Sequence, residues 1–376
     1  MVRRLFKTAM AWALHRSGAD QFIGRMDGFR SMPLVLCYHR VVEDFAASAR
    51  KTMPAMLIST RTLERQLDWI GRRFCFVSLE ELGSWLEGEK NISRPVAAVI
   101  FDDGYRDVHT HAFPLLKRKG IPAAVSVVTD FIGTSEMQIY DRLYGLLLRR
   151  FVGRPSGAED LGRLLAAVGI RRPADAALLS LTKEPHKTLS ALVRELPQAE
   201  ILRLIKVLEA GVDIPENDRL EFRSLDWAML AEMHRAGISI ASHTKSHALL
   251  TNESRQTVLE EVQGSRRELE RRMGIEVKHI AYPDGHFNSA VIDAVAASGY
   301  RFGYTTCSHR DSRYPLLTVP RTILWENACM DFTGSFSPAI LSCQIHRVFD
   351  FASGCRQPHA SNRADYRRPR FVEIQS

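Results

Sequence analysis

Eight short apolar runs, separated by segments with helical spacing, constrain the fold of this 376-residue chain more than any other feature. Runs of this kind that alternate with amphipathic helices are typical of parallel strands joined by crossover helices. We therefore expect an α/β protein, either a barrel or an open sheet, whose site residues collect at the carboxyl ends of the strands. The predicted strands are residues 33–37, 74–78, 96–101, 123–128, 238–242, 278–282, 302–306 and 316–319.

Helix boundaries between these runs support the alternation. Ser78 and Glu81 have the spacing of a capping box, which predicts a helix from Ser78 to Gly88. Gly120 and Gly274 stand where two further helices are expected to end, because glycine commonly follows the last helical residue.

The domain boundaries follow from the segments that break the alternation. Residues 142–222 are rich in Leu, Ala, Arg and Glu at helical spacing, which predicts a helical insertion within a main domain of residues 32–328. Residues 1–31 are expected to be an N-terminal amphipathic helix and linker. Residues 329–376 lose periodicity and predict a basic, poorly ordered tail.

The formal net charge of +8 comes mainly from basic residues at the two ends of the chain. No basic stripe is interleaved with aromatic residues, so we expect no nucleic-acid partner. The apolar run near the N-terminus is too short to span a bilayer. Its helix could pack on the domain or make a peripheral contact with the inner membrane through an apolar face flanked by basic residues. The residues of that helix are Arg4, Leu5, Lys7, Ala9, Trp12, Ala13 and Arg16.

Six cysteines without a C-x-x-C pair predict reduced thiols and a cytoplasmic location. Cys37 and Cys75 lie inside apolar runs, so both are expected in the core.

Two clusters of polar residues follow predicted strands. Asp102 and Asp103 end the apolar run 95–101, and two adjacent buried carboxylates need a cation or a shared proton. His243 and His247 follow the strand 238–242. One carboxylate with two histidines is a common ligand set for a zinc-like ion, with positions left for water and substrate.

Three motifs together resemble the polysaccharide deacetylases, the family of the NodB homology domain and carbohydrate esterase family 4. They are F-D-D-G-Y at 101–105, S-H-T-K-S-H at 242–247 and Y-P-D-G at 282–285. The first strand, L-C-Y-H-R-V at 36–41, is similar to that of one branch of the family. The resemblance implies a distorted (β/α) barrel that holds a divalent metal, most often Zn²⁺, with Co²⁺, Mn²⁺ or Ni²⁺ also compatible with this ligand set.

The resemblance also implies roles for individual residues. Asp103, His243 and His247 would hold the metal, and Asp102 would be the general base. The backbone N–H of Tyr105 would stabilise the oxyanion. The third motif would line the substrate site with Tyr282, Pro283 and Gly285.

The chain departs from the commonest family pattern at two positions. The usual late histidine that supplies the general acid is not clear, which leaves His39 of the first strand, our preferred candidate, and His346. Ala281 stands where many members have an arginine that orients the catalytic aspartate, and Arg321 is a candidate replacement.

Three functions fit these residues. The first is a deacetylase that removes the N-acetyl group of an amino sugar, in a chitooligosaccharide, another polysaccharide or a lipid-linked glycan. The second is a deformylase of a lipid-linked amino sugar. The third is a catalytically silent barrel that binds glycan.

Overall fold

The computed structural model describes residues 2–26, 33–89, 94–170, 173, 175–349 and 359, and its centre is a barrel of parallel strands. The strands within these residues are β1 (Leu34–Tyr38), β2 (Arg40–Val42), β3 (Leu57–Ser59), β4 (Cys75–Phe76), β5 (Val96–Phe101), β6 (Ala124–Val127), β7 (Ser239–Ser242), β8 (His279–Ala281), β9 (Phe302–Thr305), β10 (Val319–Pro320) and β11 (Thr322–Ile323).

The helices surround the barrel and also form the segment between β6 and β7. They are α1 (Val2–Ser17), α2 (Ala19–Met26), α3 (Phe45–Ser48), α4 (Thr60–Gly71), α5 (Leu79–Leu86), α6 (Phe113–Lys119), α7 (Ile139–Phe151), α8 (Gly157–Ala167), α9 (Asp175–Leu179), α10 (Pro185–Glu195), α11 (Gln198–Glu209), α12 (Glu216–Leu220), α13 (Trp227–Arg235), α14 (Arg255–Met273), α15 (Ser289–Ala297) and α16 (Pro338–Ile345). A π-helical turn, Val108–Ala112, leads into α6.

The order of neighbouring strands is β10-β9-β8-β7-β6-β5-β1-β11, and all of these pairs are parallel. β4 lies beside the start of β5, and β2 and β3 form a separate parallel pair. The expected (β/α) barrel is confirmed.

One short segment closes the barrel. β10 pairs with β9 and β11 pairs with β1, and only Arg321 separates β10 from β11 in the chain. The backbone N–H of Arg321 donates to the carbonyl of Thr305 (2.8 Å), and that of Leu324 donates to the carbonyl of Cys37 (2.9 Å). The two edges of the sheet are therefore joined by consecutive residues of a single segment.

Small side chains fill the inside of the barrel. Successive side chains of a strand point to opposite faces, so alternate residues face the interior. Ala98, Ala124, Ala241 and Ala281 belong to one buried cluster with larger residues such as Tyr304. Ala281, which stands where the family pattern often has arginine, is thus part of this tightly packed inner layer.

Several local predictions are confirmed by the structure. Ser78 and Glu81 form the capping box of α5, with both reciprocal hydrogen bonds present. Gly120 and Gly274 end α6 and α14 in the left-handed conformation. The run 316–319 is different: Pro315–Thr318 is a 3-10 turn, and only Val319–Pro320 is strand. β2, β3 and β11 were not predicted, because each has only two or three residues.

The segment predicted as an insertion contains α7 to α12, and these helices share a hydrophobic core of their own. Leu143, Leu147, Ile205 and Leu208 are buried in it, whereas Leu202 is exposed. The insertion thus packs as a helical unit against one side of the barrel.

The tail prediction is wrong for residues 329–349. α16 lies there, and its buried residues Ile340 and Cys343 pack against Ala11 of α1. Apart from His359, residues 350–376 lie outside the described part of the chain. The N-terminal helix predicted within 1–31 corresponds to α1 and α2, and residues 27–32 lie outside the description.

Cys75 is exposed, so its predicted place in the core is wrong, whereas Cys37 is buried. Cys75 lies on the short strand β4 at the edge of the barrel, where alternate side chains face solvent. Within the described ranges, none of the helices combines the length and the apolar character that crossing a bilayer requires.

Candidate active site

The polar residues of the motifs meet at the carboxyl ends of the barrel strands. Asp102 continues the inward alternation of Ala98 and Ile100 beyond β5, and His243 continues that of Ala241 beyond β7. Because parallel strands end at the same edge, this alternation brings residues that are far apart in sequence into one buried cluster.

Asp103, His243 and His247 form a compact group of possible metal ligands. Asp103 Oδ1 lies 3.3 Å from Nε2 of His243 and 3.3 Å from Nε2 of His247, and the two Nε2 atoms are 3.1 Å apart. Ligand atoms bound tetrahedrally to zinc at about 2.0–2.1 Å lie roughly 3.3–3.4 Å from one another. The three atoms therefore have nearly the spacing that one ion imposes.

The hydrogen bonds of these ligands also favour a cation. His243 Nδ1 lies 2.8 Å from the carbonyl oxygen of Ala281 and donates its proton there, which leaves the Nε2 lone pair directed at the cluster. Asp103 Oδ1 is buried and has no hydrogen-bond donor among the described residues. The lone pairs of Asp103 Oδ1 and His243 Nε2, 3.3 Å apart, repel one another unless a cation or a shared proton lies between them. The donor set thus fits a divalent metal.

Two of these ligands have strained backbones. Asp103 has φ 71° and His247 has φ 64°, both in the left-handed region that residues other than glycine rarely adopt. Each such residue costs on the order of 1–3 kcal/mol and persists only where surrounding contacts hold it. The two left-handed residues therefore lower the stability of the fold, and they direct these side chains at one point.

Asp102 is held by three donors rather than by the metal ligands. Arg321 NH1 donates to Asp102 Oδ1 at 2.8 Å, Ser126 Oγ donates to the same oxygen, and Cys37 Sγ lies 3.2 Å from Oδ2. Both Arg321 and Asp102 are buried. The arginine missing at position 281 is thus replaced from the closing segment of the barrel.

The charge of Arg321 keeps Asp102 ionised. Burial alone raises the pKa of the Asp102 carboxyl, but Arg321, followed by His243 and His39, lowers it below its ordinary value. Cys37, His39 and Asp102 also lie within 4.8 Å of one another through their polar atoms. A second cation is disfavoured there, because the guanidinium of Arg321 already neutralises Asp102.

His39 lies beside Asp102 and is partly accessible to solvent. Its Nδ1 is buried and has no hydrogen-bond partner among the described residues. Burial lowers the pKa of His39, while the carboxylates of Asp103 and Asp102 act in the opposite direction. His346, the alternative acid, lies at the end of α16, where its Nδ1 bonds to the carbonyl of Ser342 (2.8 Å) and its ring packs against Gly24 of α2.

Tyr105 presents its backbone and its side chain to different partners. It forms an isolated bridge with Ser224, in which the hydrogen bonds are donated by the N–H groups of Arg106 and Leu225, so the bridge leaves the N–H of Tyr105 unused. The phenol donates to Asp141 Oδ2 at 2.5 Å. This N–H is therefore available to an oxyanion, as the resemblance implies.

The first turn of α7 holds the site from the side of the insertion. Gln138 Nε2 donates to the carbonyl of Asp103 at 2.8 Å, and the hydroxyl of Tyr140 donates to the carbonyl of His247 at 2.8 Å. The Tyr140 ring also meets the His247 ring edge to face, at 4.8 Å. Both strained ligands are thus fixed through their backbones by residues only two positions apart.

The loop that carries the two histidines is also fixed from α14. Buried Glu261 accepts hydrogen bonds from the backbone N–H groups of Lys245 (2.9 Å) and Ser246 (2.8 Å), and from the hydroxyl of Ser246. A carboxylate that accepts several backbone N–H groups orders the loop that donates them.

Tyr282 of the third motif does not present its side chain to the site, contrary to the prediction. Its side chain is fully buried, and its hydroxyl donates to the carbonyl of Leu317 at 2.8 Å, so it belongs to the packing of the closing segment. Pro283 and Gly285 are buried in a 3-10 turn, whose Gly285 carbonyl accepts a bond from Thr305. Asp284 is the exposed residue of this turn and lies 3.3 Å from Arg194 of α10.

Sequence reasoning missed Ser126 and the contacts from α7. Ser126 carried a signal, since it is the polar residue of the apolar run A-A-V-S-V-V at 123–128. Gln138 and Tyr140 carried none, because they begin an amphipathic helix like any other.

Replacing Tyr140 by Phe tests the hold on His247. The substitution keeps the ring and removes the hydrogen bond to the His247 carbonyl, so we expect about tenfold weaker zinc binding, in line with the loss of groups that support metal ligands. Competition with a chromophoric chelator measures the dissociation constant without an activity assay. Tyr144→Phe, one turn later in the insertion core, is the matched control and should bind zinc like the wild type. Equal affinities for both variants would show that Tyr140 does not position the ligand.

Asp141→Asn tests a buried acid beside Tyr105. Burial raises the pKa of Asp141 to about 6, although Arg40 and the hydrogen bond from Tyr105 oppose the shift. Between about pH 4 and pH 6 the unfolded chain ionises this carboxyl more readily than the folded chain, so wild-type stability falls as the pH rises. The stability of the asparagine variant does not fall in this way. Its free energy of unfolding should therefore rise by up to about 3 kcal/mol relative to that of the wild type over that range. Denaturant unfolding in EDTA measures the difference, and parallel pH profiles would contradict the shift.

Part of the chain is similar in sequence to known proteins. A sequence model of the family described as "Polysaccharide deacetylase" matches residues 185–303. A curated relative, the poly-beta-1,6-N-acetyl-D-glucosamine N-deacetylase of Staphylococcus epidermidis, is 29% identical over 114 residues. That match spans 28% of this chain and 39% of the length of the relative.

Solved structures share the fold. The deacetylase PplD of Streptococcus pyogenes, solved in complex with acetate, aligns with a TM-score of 0.52 and 18% identity, covering 84% of this chain and 97% of the other. IcaB from Ammonifex degensii aligns with a TM-score of 0.50 and 16% identity, with the same coverage. Residues 185–303 are therefore similar to the polysaccharide deacetylase family, and the chain shares the fold of these two solved structures.

Proposed function

We propose that this protein is a metal-dependent deacetylase that hydrolyses the N-acetyl group of N-acetylglucosamine residues in a glycan. The observation that carries the proposal is the division between two adjacent carboxylates. Asp103 faces two imidazoles at 3.3 Å, whereas Asp102 is held by Arg321 at 2.8 Å and stays outside the ligand set. A binding protein has no need for a separate, oriented carboxylate beside a metal site.

When bound by Asp103, His243 and His247, a divalent cation polarises an acyl oxygen and makes water more acidic. Asp102, kept ionised by Arg321, accepts the proton of the attacking water. The N–H of Tyr105 donates a hydrogen bond to the acyl oxygen as negative charge develops on it.

His39 completes the reaction as the general acid. Its ring nitrogen donates a proton to the amide nitrogen as the carbon–nitrogen bond breaks, because an amine leaves readily only when protonated. The water oxygen stays on the acyl carbon, so the products are acetate and the free amino sugar. The neighbouring carboxylates of Asp102 and Asp103 favour the protonated ring and offset part of the effect of burial.

The choice of glycan rests on the curated relative, whose name states poly-β-1,6-N-acetylglucosamine as its substrate. We propose a β-1,6-linked N-acetylglucosamine oligomer as the first substrate class, ahead of β-1,4-linked chitooligosaccharides and lipid-linked sugars. Two features favour a catalytically silent barrel, the alanine at position 281 and the uncertain general acid, and Arg321 supplies the charge that Ala281 lacks.

Acid release from defined glycans tests the proposal. The purified chain, loaded with Zn²⁺ or Co²⁺, should release acetate from N-acetylglucosamine oligomers, and formate from N-formyl analogues would instead favour the deformylase. Asp102→Asn should lower kcat by about 10²–10⁴ while retaining the metal, because it removes only the base. Asp293→Asn, on an exposed part of α15, is the control and should leave kcat unchanged.

Two results would overturn this function. A wild-type protein that binds metal yet releases neither acid from any glycan would favour the glycan-binding barrel. An Asp102→Asn variant with full activity would remove the base from the mechanism.

His39→Ala distinguishes the two candidate acids. Loss of His39 should lower kcat by about 10²–10⁴ and flatten the fall in rate with rising pH, because that fall reports loss of the proton from the acid. His346→Ala should keep both the rate and the pH profile, since its ring packs between helices. Rate profiles from about pH 5 to 9 check both variants, and an unchanged His39→Ala profile would exclude His39 as the acid.

A further inference from the structure

Exposed apolar side chains concentrate on one part of the surface. Nine large hydrophobic side chains are exposed among the described residues, and five of them lie on α1, on α2 or in the loop before α16. Phe6 and Trp12 are 70% and 61% exposed. The five are Leu5, Phe6, Trp12, Phe22 and Phe332. Single exposed apolar residues need no explanation, but a cluster indicates an interaction site.

The outer face of α1 is apolar because its inner face is already used. Ala11 and Leu14 pack against Ile340 and Cys343 of α16. At 100° per residue, the opposite side of the helix presents an apolar stripe to solvent, with Arg16 on the same side at its C-terminal end. That stripe consists of Leu5, Phe6, Ala9, Trp12 and Ala13.

Contacts with α2, with α16 and with the loop before α16 hold α1 in this orientation. Buried Asp20 of α2 accepts hydrogen bonds from His15 Nδ1 (2.8 Å) and from Ser342 Oγ of α16 (2.6 Å). Thr8 Oγ1 accepts a bond from the backbone of Phe332 (3.1 Å), which joins that exposed aromatic ring to the same face. The patch is therefore a fixed surface.

The charges around the stripe are positive. Residues 1–17 contain four Lys and Arg residues and no Asp or Glu. Arg4 and Arg16 are exposed, and the guanidinium of Arg16 lies 5.6 Å from the centroid of the Trp12 ring. The neighbouring acid is Asp331, whose Oδ1 accepts local bonds from Thr333 and Ser335.

We propose that this face of α1, with Phe22 and Phe332, docks onto an anionic lipid surface. An apolar face with aromatic residues and a basic rim is the pattern of helices that lie in the membrane interface. Basic residues near an anionic leaflet strengthen binding to it. The helix would lie along the surface rather than cross it, because its 16 residues span about 24 Å and include exposed arginines at both ends.

Two other occupants fit the charges less well. The C-terminal segment 360–376 contains four arginines against Asp365 and Glu373, so it is basic like the helix it would cover. A second copy of this chain would bring the same basic residues against each other. An anionic surface complements the positive charge of the patch, whereas the C-terminal segment and a second copy of the chain carry the same charge and are repelled by it.

The position of the patch relative to the barrel follows from Lys7. Its Nζ donates to the carbonyl of Ala328 at 3.3 Å, and Ala328 follows β11 by five residues. The first half of α1 therefore contacts the segment that follows β11.

Sedimentation of the full chain with vesicles tests the proposal. Vesicles of phosphatidylcholine with about 30% phosphatidylglycerol should bind the protein at about 0.1 M NaCl, and pure phosphatidylcholine should bind much less. The double variant Phe6→Ser/Trp12→Ser should bind the anionic vesicles at least tenfold more weakly. Arg4→Gln/Arg16→Gln should lose most of the preference for anionic lipid.

The matched control is Leu179→Ser/Leu202→Ser, which removes two exposed leucines of the insertion and should bind like the wild type. Thermal unfolding verifies that each variant is folded, as expected for substitutions at exposed positions. Equal binding by wild type and Phe6→Ser/Trp12→Ser would overturn the proposal. A wild-type dimer that this double variant dissociates, without vesicle binding, would also overturn it and assign the face to a second copy.

Discussion

The buried pair of Arg321 and Asp102 connects the closure of the barrel to its chemistry. Arg321 lies between β10 and β11, the two short strands that pair with opposite edges of the sheet. Its side chain donates a hydrogen bond to Asp102 at the end of β5, and both side chains are buried. Removing one partner of a buried ion pair typically costs about 3–5 kcal/mol, because the other charge is left unpaired. The ion pair therefore stabilises the closing segment and the position of the aspartate together.

This arrangement explains how the chain tolerates alanine at position 281. Ala281 packs with Ala98, Ala124 and Ala241 in the inner layer of the barrel, where an arginine side chain would need space that these residues do not leave. The positive charge instead comes from the closing segment, where Arg321 donates to Asp102 Oδ1. The metal ligands and the base therefore receive their support from different parts of the chain.

Much of the fold and the ligand set could be predicted because they follow from local rules. Asp102, Asp103, His243 and His247 directly follow apolar runs, and parallel strands bring their carboxyl ends together. The partner of Asp102 could be named only as a candidate. Arg321 follows a two-residue strand, and nothing in V-P-R-T-I shows that Pro320 pairs with Thr305 and that Thr322 pairs with Leu36. Tyr282 was misassigned for the same reason, since its burial depends on Leu317.

The least predictable part of the site is also what makes it specific to this chain. Asp103 and His247 adopt left-handed backbones, a conformation that their own sequence does not favour. Gln138 and Tyr140, which begin an insertion of ordinary amphipathic helices, bind the carbonyls of these two residues. A barrel with the same motifs and a different insertion would lack these two bonds, which would leave Glu261 to hold the histidine loop. The spacing of the three ligand atoms is therefore a property of the barrel and the insertion together.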